Sequence, residues 1–288
     1  MIKVKLDGVW AGELNKKDGC ETKQTMPFIL RSLSCYDIQK MAQLSDAIYA
    51  GLKPEEACYI HRHDLSYYEE ALKQADVHYI GVFVGKELVA MSSLTLCRDR
   101  KTFNQEIPGC QYDVFHKGSY VVAALGGDCV LPAFRGNKLN QIMIDFRVER
   151  ARKEGCTHAF SIVDRHNHWN MTPYFSNGFT MFSSAIDPSD NGQIALMQRP
   201  LRTNVWYGKS KLTASCCDFD RIDVLLNNGY VGHAYDSQTN QISFVRMSEA
   251  TSRLNDDMTV VCPKAIKIAS FEQGRYTSVP HFRYFARV

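Results

Sequence analysis

From Phe28 onward the apolar residues switch between two periods. "FILRSL" reads as a short strand, and "YDIQKMAQLSDAIYAGL" then places Ile38, Met41, Ala42, Leu44 and Ile48 at helical spacing up to Gly51. "LSYYEEALKQA" predicts a second helix with Asp64 as its N-cap. "VHYIGVFV" and "ELVAMSSLTL" are strands joined by the tight turn Gly85-Lys86. Residues 98–118 carry turn residues and are read as a loop, and "SYVVAALGGDCVL" as a long strand interrupted by Gly126-Gly127, where a bulge or a close backbone approach is expected. Leu139, Ile142, Met143 and Phe146 then mark a helix stopped by Gly155, followed by the strand "HAFSIV". Strand, helix, strand in that order implies a right-handed parallel crossover. "NHWNMTPYFSNGF" is a short helix containing Pro173, and "FTMFSSAI" with "GQIALMQRP" forms a hairpin around Pro188–Gly192.

The two ends are less regular. Residues 1–26 read as an arm with one strand at Ile2–Leu6. Near the other end, "FDRIDVLLNNGYVG" has Phe219, Ile222, Leu225 and Leu226 at helical spacing, closed by Gly229. "QISFVRM" and "MTVVCPKAIKIASF" are strand-like and apolar enough to need a partner surface. Packing on the rest of the molecule or on a second copy in a homodimer would bury them. A separate module on a linker at Arg202–Lys211 is the alternative. "YFSNGFTMFSSAIDPSDNGQIALMQR" also resembles "LLNNGYVGHAYDSQTNQISFVR" in order: helix end, Asn-Gly-aromatic, hairpin, Gln-Ile, Arg. Chance and duplication both explain that echo.

Composition narrows the classes. The chain has 288 residues, 45% hydrophobic and 23% charged, with a net charge of +3. That is ordinary globular composition, with too little positive charge to argue for nucleic acid. No apolar run approaches membrane-spanning length, and the first residues lack an apolar signal core. The ten cysteines form no C-x-x-C pair, so reduced thiols in a cytoplasmic compartment are expected, although an effector secreted by another route would look the same.

Chemistry concentrates at Arg135-Gly136-Asn137-Lys138-Leu139-Asn140, between a strand and a helix. The first N–H groups of a helix lack intrahelical partners, and with the positive end of the helix dipole they suit a phosphate. Gly136 permits close backbone approach, and Arg135 and Lys138 add charge. An ordinary strand-to-helix turn with solvated basic side chains is the competing reading.

Taken together, "VLPAFRGNKL", "NHWNMTPY" and "NGF" resemble the GNAT superfamily of acyl-CoA N-acyltransferases over about residues 27–200. The resemblance implies an α+β fold, with a mixed, mostly antiparallel central sheet flanked by helices and two splayed parallel strands forming the CoA cleft. Residues 1–26 would be an N-terminal arm and 201–288 a C-terminal α+β extension, packed on the domain or at a dimer interface. It implies acetyl-CoA as cosubstrate, with Cys129, Val130 and Leu131 along the pantetheine, Arg135, Gly136, Asn137, Lys138, Leu139 and Asn140 around the pyrophosphate, and Asn167 on the pantetheine arm. The loop departs from the family pattern because Lys138 and Asn140 stand where glycine or alanine is usual, which puts tight coenzyme binding in question.

The implied reaction is direct attack of a neutral primary amine, of a small molecule or a protein, on the thioester. Tyr174 matches the family's general acid for the departing thiolate, with burial in the core as the alternative. Asp128 shares a face with Val130, expected to look into the acceptor side, and is the candidate base; a local hydrogen bond near Gly126-Gly127 is the alternative. His116 and His168 stand in reserve. Cys129 with His166 or His168 would instead permit a covalent intermediate. His166 and His168 lack a third ligand, so no metal is expected. A non-catalytic acyl-CoA-binding or protein-interaction module on the same scaffold is the other class.

Overall fold

The computed structural model describes residues 2–17, 24–53, 62–110, 121–187, 191–206, 212–246 and 251–254. The strands are β1 Ile2–Leu6, β2 Val9–Lys16, β3 Gln24–Ser32, β4 Val77–Val84, β5 Glu87–Cys97, β6 Val122–Val130, β7 His158–Asp164, β8 Thr180–Ile186, β9 Gln193–Pro200, β10 Thr203–Trp206, β11 Leu212–Ser215, β12 Tyr230–Asp236, β13 Gln241–Arg246 and β14 Thr251–Leu254. The helices are α1 Ile38–Ala50, α2 Leu65–Lys73, α3 Arg100–Glu106, α4 Leu139–Lys153, α5 His168–Ser176 and α6 Phe219–Asn227. Twelve strands form one open sheet in the order β1-β2-β3-β4-β5-β6-β7-β9-β8-β12-β13-β11, and β10 pairs separately with β14. Among the described residues only β6 and β7 run parallel, joined by the crossover helix α4 as the periodicity predicts. Asp64 caps α2 by accepting the Tyr67 N–H at 2.9 Å.

Two expectations need correction. The 98–118 loop contains α3, opened by Asp99, which accepts the Thr102 N–H at 2.8 Å. Seven residues with one buried apolar side chain, Phe103, carry too little periodicity to read as a helix. The N-terminal arm holds a second strand, β2, paired with β3 from Val9↔Arg31 to Lys16↔Gln24. Its buried positions alternate at Trp10, Gly12 and Leu14. Trp10 meets Phe146 of α4 edge-on at 5.0 Å between ring centres, so the first hairpin shares the core beneath α4.

Helices α1 and α2 cover one face of the sheet and α4, α5 and α6 the other. The second face holds one continuous core, including Leu125, Ile144, Tyr174, Met181, Ile222 and Phe244, which crosses from the first 200 residues into the segment beyond them. There β12 pairs with β8 through Gly232↔Met181. The strand-like run "MTVVCPKAIKIASF" lies outside the described residues.

The echo within the sequence is matched in three dimensions. β7-α5-β8-β9 and β11-α6-β12-β13 share element order and pairing, since the strand before the helix pairs antiparallel with the last strand of the hairpin in each. The helix ends match atom for atom. The Asn177 side-chain amide donates to the Pro173 carbonyl at 2.9 Å, and that of Asn228 to the Val224 carbonyl at 2.7 Å. Gly178 and Gly229 follow, with φ of 72° and 79°. The two units meet at β8 and β12, in the middle of the run β7-β9-β8-β12-β13-β11.

Candidate active site

The register of β6 makes the cleft. Its pairing with β7 covers Ala123↔Ala159, Ala124↔Phe160 and Leu125↔Ser161, then stops. Beyond that point β6 stays on β5 up to Ala90↔Val130, while β7 stays on β9 up to Asp164↔Ile194. The two parallel strands therefore part at Gly126, leaving one edge of β6 unpaired by β7. A bulge lies at the same place, because Ser93 faces Gly126 and Met91 faces Cys129, so two residues of β6 oppose Ser92. Gly127 takes φ of 65° there, a conformation natural to glycine.

The bulge frees carbonyls, and a buried arginine satisfies them. Arg147 projects from α4 and is fully buried. Its guanidinium donates to the carbonyls of Ser93 and Gly126, each at 2.9 Å, and to Asp128 Oδ1 at 2.5 Å. Asp128 Oδ2 in turn accepts the Tyr174 hydroxyl at 3.0 Å. The Ser161 hydroxyl lies 2.7 Å from the Tyr174 oxygen and 2.9 Å from the Leu125 carbonyl, with one proton to share between them. The structure thus joins Asp128 and Tyr174 directly, on the face covered by α4 and α5, with Asp128 only 2% exposed. An open position on the acceptor side of the cleft was expected for that carboxylate.

Burial dominates the electrostatics. Desolvation pushes the Asp128 carboxyl up to about 6, against the pull of the Arg147 charge and the Tyr174 hydrogen bond. Burial also raises the Tyr174 phenol well above its usual range, and ionised Asp128 beside it adds to the rise. Tyr174 therefore holds its proton throughout the physiological range. Cys129 points to the other face, among α1 and α2 side chains, and burial pushes its thiol up to about 12. A thiol held protonated is a poor nucleophile, so the covalent alternative finds no support in its surroundings.

The loop after β6 keeps the shape of an anion site despite its substitutions. Gly136 has φ of 84°, and Lys138 itself adopts left-handed φ 58°, ψ 26°, so lysine occupies a glycine-like conformation where the family pattern has glycine. No side chain among the described residues caps α4, and Ile142 is the first N–H to find a helical acceptor, the Lys138 carbonyl at 3.0 Å. That leaves the N–H groups of Leu139, Asn140 and Gln141 without partners among the described residues, aimed out of the helix start. Arg135 is anchored by Nε on the Val130 carbonyl at 3.2 Å. Asn140 reaches α5, where it bonds Asn170, and with both amides turned over it accepts from Asn170 and donates to Asp128 Oδ2 at 3.1 Å. The side chain at this small-residue position thus turns inward to the Asp128 network.

Asn167, just before α5, is 6% exposed, and its side-chain nitrogen has no partner among the described residues. A buried donor left open beside a splayed strand suits a pantetheine carbonyl. Together with the unpaired β6 edge and the uncapped start of α4, it shows that the residues present fit coenzyme A. His116 and the side chain of His168 lie outside the described residues, and among those described no group of three or more His, Cys, Asp or Glu gathers.

Arg147 and Ser161 have no place in the site read from sequence. The signal for Arg147 was present, since it falls on the buried stripe of α4 with Met143, Ile144, Val148 and Ala151. A charge among core positions of a helix demands a buried partner.

Residues 39–179 match the sequence profile described as the Acetyltransferase (GNAT) family. They form a GNAT-family domain. The parting strands, the β6-to-α4 loop and Tyr174 all lie within or beside this stretch, and GNAT proteins are acyltransferases. No curated protein matches the sequence. Among solved structures, the chain is similar to an N-acetyltransferase from Staphylococcus aureus Mu50 (12% identity, 60% of this chain and 97% of that one, TM-score 0.44). It is also similar to the GNAT domain of S. lividans PAT (13%, 66% and 97%, 0.46). A third is Arabidopsis thaliana NAA60, solved with acetyl-CoA (13%, 60% and 98%, 0.45). No helix among the described residues is long and apolar enough to cross a membrane.

Proposed function

We propose that this GNAT protein is an acetyl-CoA-dependent N-acetyltransferase that transfers the acetyl group directly to a primary amine of a small molecule or a protein. The observation that carries this reading is the Tyr174–Asp128 hydrogen bond, set where β6 and β7 part. Residues 27–200 make the transferase unit in this reading, and the later segment completes its sheet.

Each residue then has a task. The free edge of β6 at Cys129 and Val130, continued by Leu131, lines the pantetheine, with Asn167 donating to it. The backbone from Gly136 to Asn140 and the charges of Arg135 and Lys138 hold the diphosphate. The bound thioester supplies the electrophile. An alkyl amine with a pKa near ~10.4 must shed a proton to attack, and the departing thiolate takes one up. In this reading Tyr174 gives its hydroxyl proton to the thiolate, ionised Asp128 takes up the proton that the amine sheds, and transfer along the Asp128–Tyr174 hydrogen bond restores the phenol. Arg147 keeps Asp128 charged and in place. The high thiol pKa of Cys129 favours direct transfer over an acyl-cysteine.

A second reading, a non-catalytic acyl-CoA-binding module, draws support from Lys138 and Asn140 in the phosphate loop. Thiol release from acetyl-CoA with a panel of amines decides between them. The transferase reading requires amine-dependent release that Tyr174→Phe removes. Binding of CoA without release from any amine supports the second reading, and absence of CoA binding at millimolar concentration sinks both.

A further inference from the structure

The N-terminal hairpin closes over the phosphate loop. One end of β2 is tied to it by backbone and side-chain bonds. The Lys17 N–H donates to the Ala133 carbonyl at 2.8 Å. Asn137 exchanges two bonds with Asn15, accepting its N–H at 2.8 Å and donating to its carbonyl at 2.7 Å. The same Asn137 amide donates to the Phe134 carbonyl at 2.9 Å, so its side chain works as a rung between strand and loop. Asn137 thereby spends its side chain on the hairpin, and only its backbone faces the helix start.

This tie sets Lys17 over Gly136. A Cβ built at residue 136 would lie 3.1 Å from Lys17 Nζ and 3.4 Å from Cε. The bare backbone of Gly136 thus leaves room for an ammonium group as well as permitting φ of 84°. Arg135 and Lys138 flank the same glycine, and residues 131–141 contain no acid. Three cations and the open N–H groups of Leu139, Asn140 and Gln141 therefore converge on one turn, and Lys17 comes from outside the stretch that matches the family.

We infer that Lys17, delivered by the N-terminal hairpin, is a binding residue for the diphosphate of the acyl-CoA, supplying across Gly136 a charge that the altered loop holds from outside. The inference rests on the coenzyme reading above. In physical terms the hairpin gives a pre-positioned cation whose ordering cost is met by its strand pairing rather than by the ligand. Asn137 acts as a positioning residue for it.

The test is calorimetric binding of CoA, dephospho-CoA and pantetheine to the full chain and to Lys17→Met, Lys17→Arg and Asn137→Ala. Lys17→Met is expected to weaken CoA and dephospho-CoA alike by about three- to tenfold, a range suited to one partly screened charge, and to leave pantetheine unchanged. Lys17→Arg is expected to retain affinity, and Asn137→Ala to give a loss that Lys17→Met does not deepen. Equal CoA affinity in wild type and Lys17→Met overturns the inference. So does a loss confined to CoA, which would put Lys17 at the 3′-phosphate, or a loss shared by pantetheine, which would make its role structural. A wild-type protein that binds no CoA defeats the coenzyme reading itself, a separate outcome.

Discussion

Asp128, Arg147 and Tyr174 form a buried charged set, and such sets are costly to build and costlier to break. Removing one member leaves an uncompensated charge or donor in the core, which typically costs about 3–5 kcal/mol. Arg147→Met should therefore lower the urea unfolding free energy by about that amount, and adding Asp128→Asn should restore part of it, because the second change removes the orphaned carboxylate. A double-variant loss equal to the sum of the two single-variant losses would show the pair to be uncoupled. The pH dependence has a worked sign. The folded carboxyl of Asp128 is raised to about 6, above its unfolded value, so its contribution to stability is complete at low pH and fades as pH rises through about 6. Turnover should run the other way, rising through the same window as Asp128 ionises, and Asp128→Asn should flatten that limb. An unchanged profile in Asp128→Asn would move the base elsewhere. Tyr174→Phe should cost about 10²–10⁴-fold in turnover with CoA affinity nearly unchanged, measured where chemistry limits the rate. Wild-type turnover in that variant would leave the Asp128 hydrogen bond as its whole purpose.

At the scale of the element, the β6–loop–α4 unit shows what can and cannot be read from letters. The bulge at Gly126-Gly127, the crossover and the helix start near Lys138 were legible, because glycine in a strand and the 3.6-residue period are local signals. The backbone of Lys138 was not. The residue type left open whether the loop is narrowed or keeps its backbone donors, and the fold keeps a glycine-like turn beneath the lysine side chain. Left-handed backbone costs an ordinary residue roughly 1–2 kcal/mol, and a β-branched one more. Lys138→Gly should thus leave the denaturation midpoint nearly unchanged, strain relief offsetting the flexibility of glycine, whereas Lys138→Val should lower it clearly. Similar midpoints for the two would mean the turn is not constrained. β2 and α3 escaped notice for a shared reason. Each is short, and its local pattern is weak; Trp10 finds its meaning only against Phe146, which is far away in sequence. The proton network was half visible. Asp128 and Tyr174 stood out as chemistry, but their direct contact depends on the parting of two strands, which no single stretch encodes.

At the scale of the molecule, the second half-unit is a partner carried on the same chain. The edge strand β8 would otherwise present open N–H and C=O groups, an invitation to self-association, and β12 covers it. The second unit lacks the chemistry of the first. Leu225 stands where Tyr174 does, counting back from the matching Asn-Gly pairs, so the repeat serves as structure. It also grips the site. Arg165, 3% exposed in the turn between β7 and α5, bonds Asp223 of α6 at 2.8 Å and the Phe219 carbonyl at 2.8 Å, while the Ser184 hydroxyl donates to the same Asp223 at 2.7 Å. That turn leads into Asn167, the open donor of the candidate site. Two outcomes are expected. Asp223→Ala should strand the buried Arg165 guanidinium, loosen the turn and weaken CoA binding severalfold by calorimetry, although Asp223 lies outside the cleft. Limited proteolysis between Arg202 and Lys211 should leave fragments that stay associated on a sizing column, since the core from Leu125 to Phe244 is continuous across the cut. Two soluble fragments that separate freely, with full transferase activity in the first, would show instead that residues 1–202 stand alone and that the repeat is an appendage.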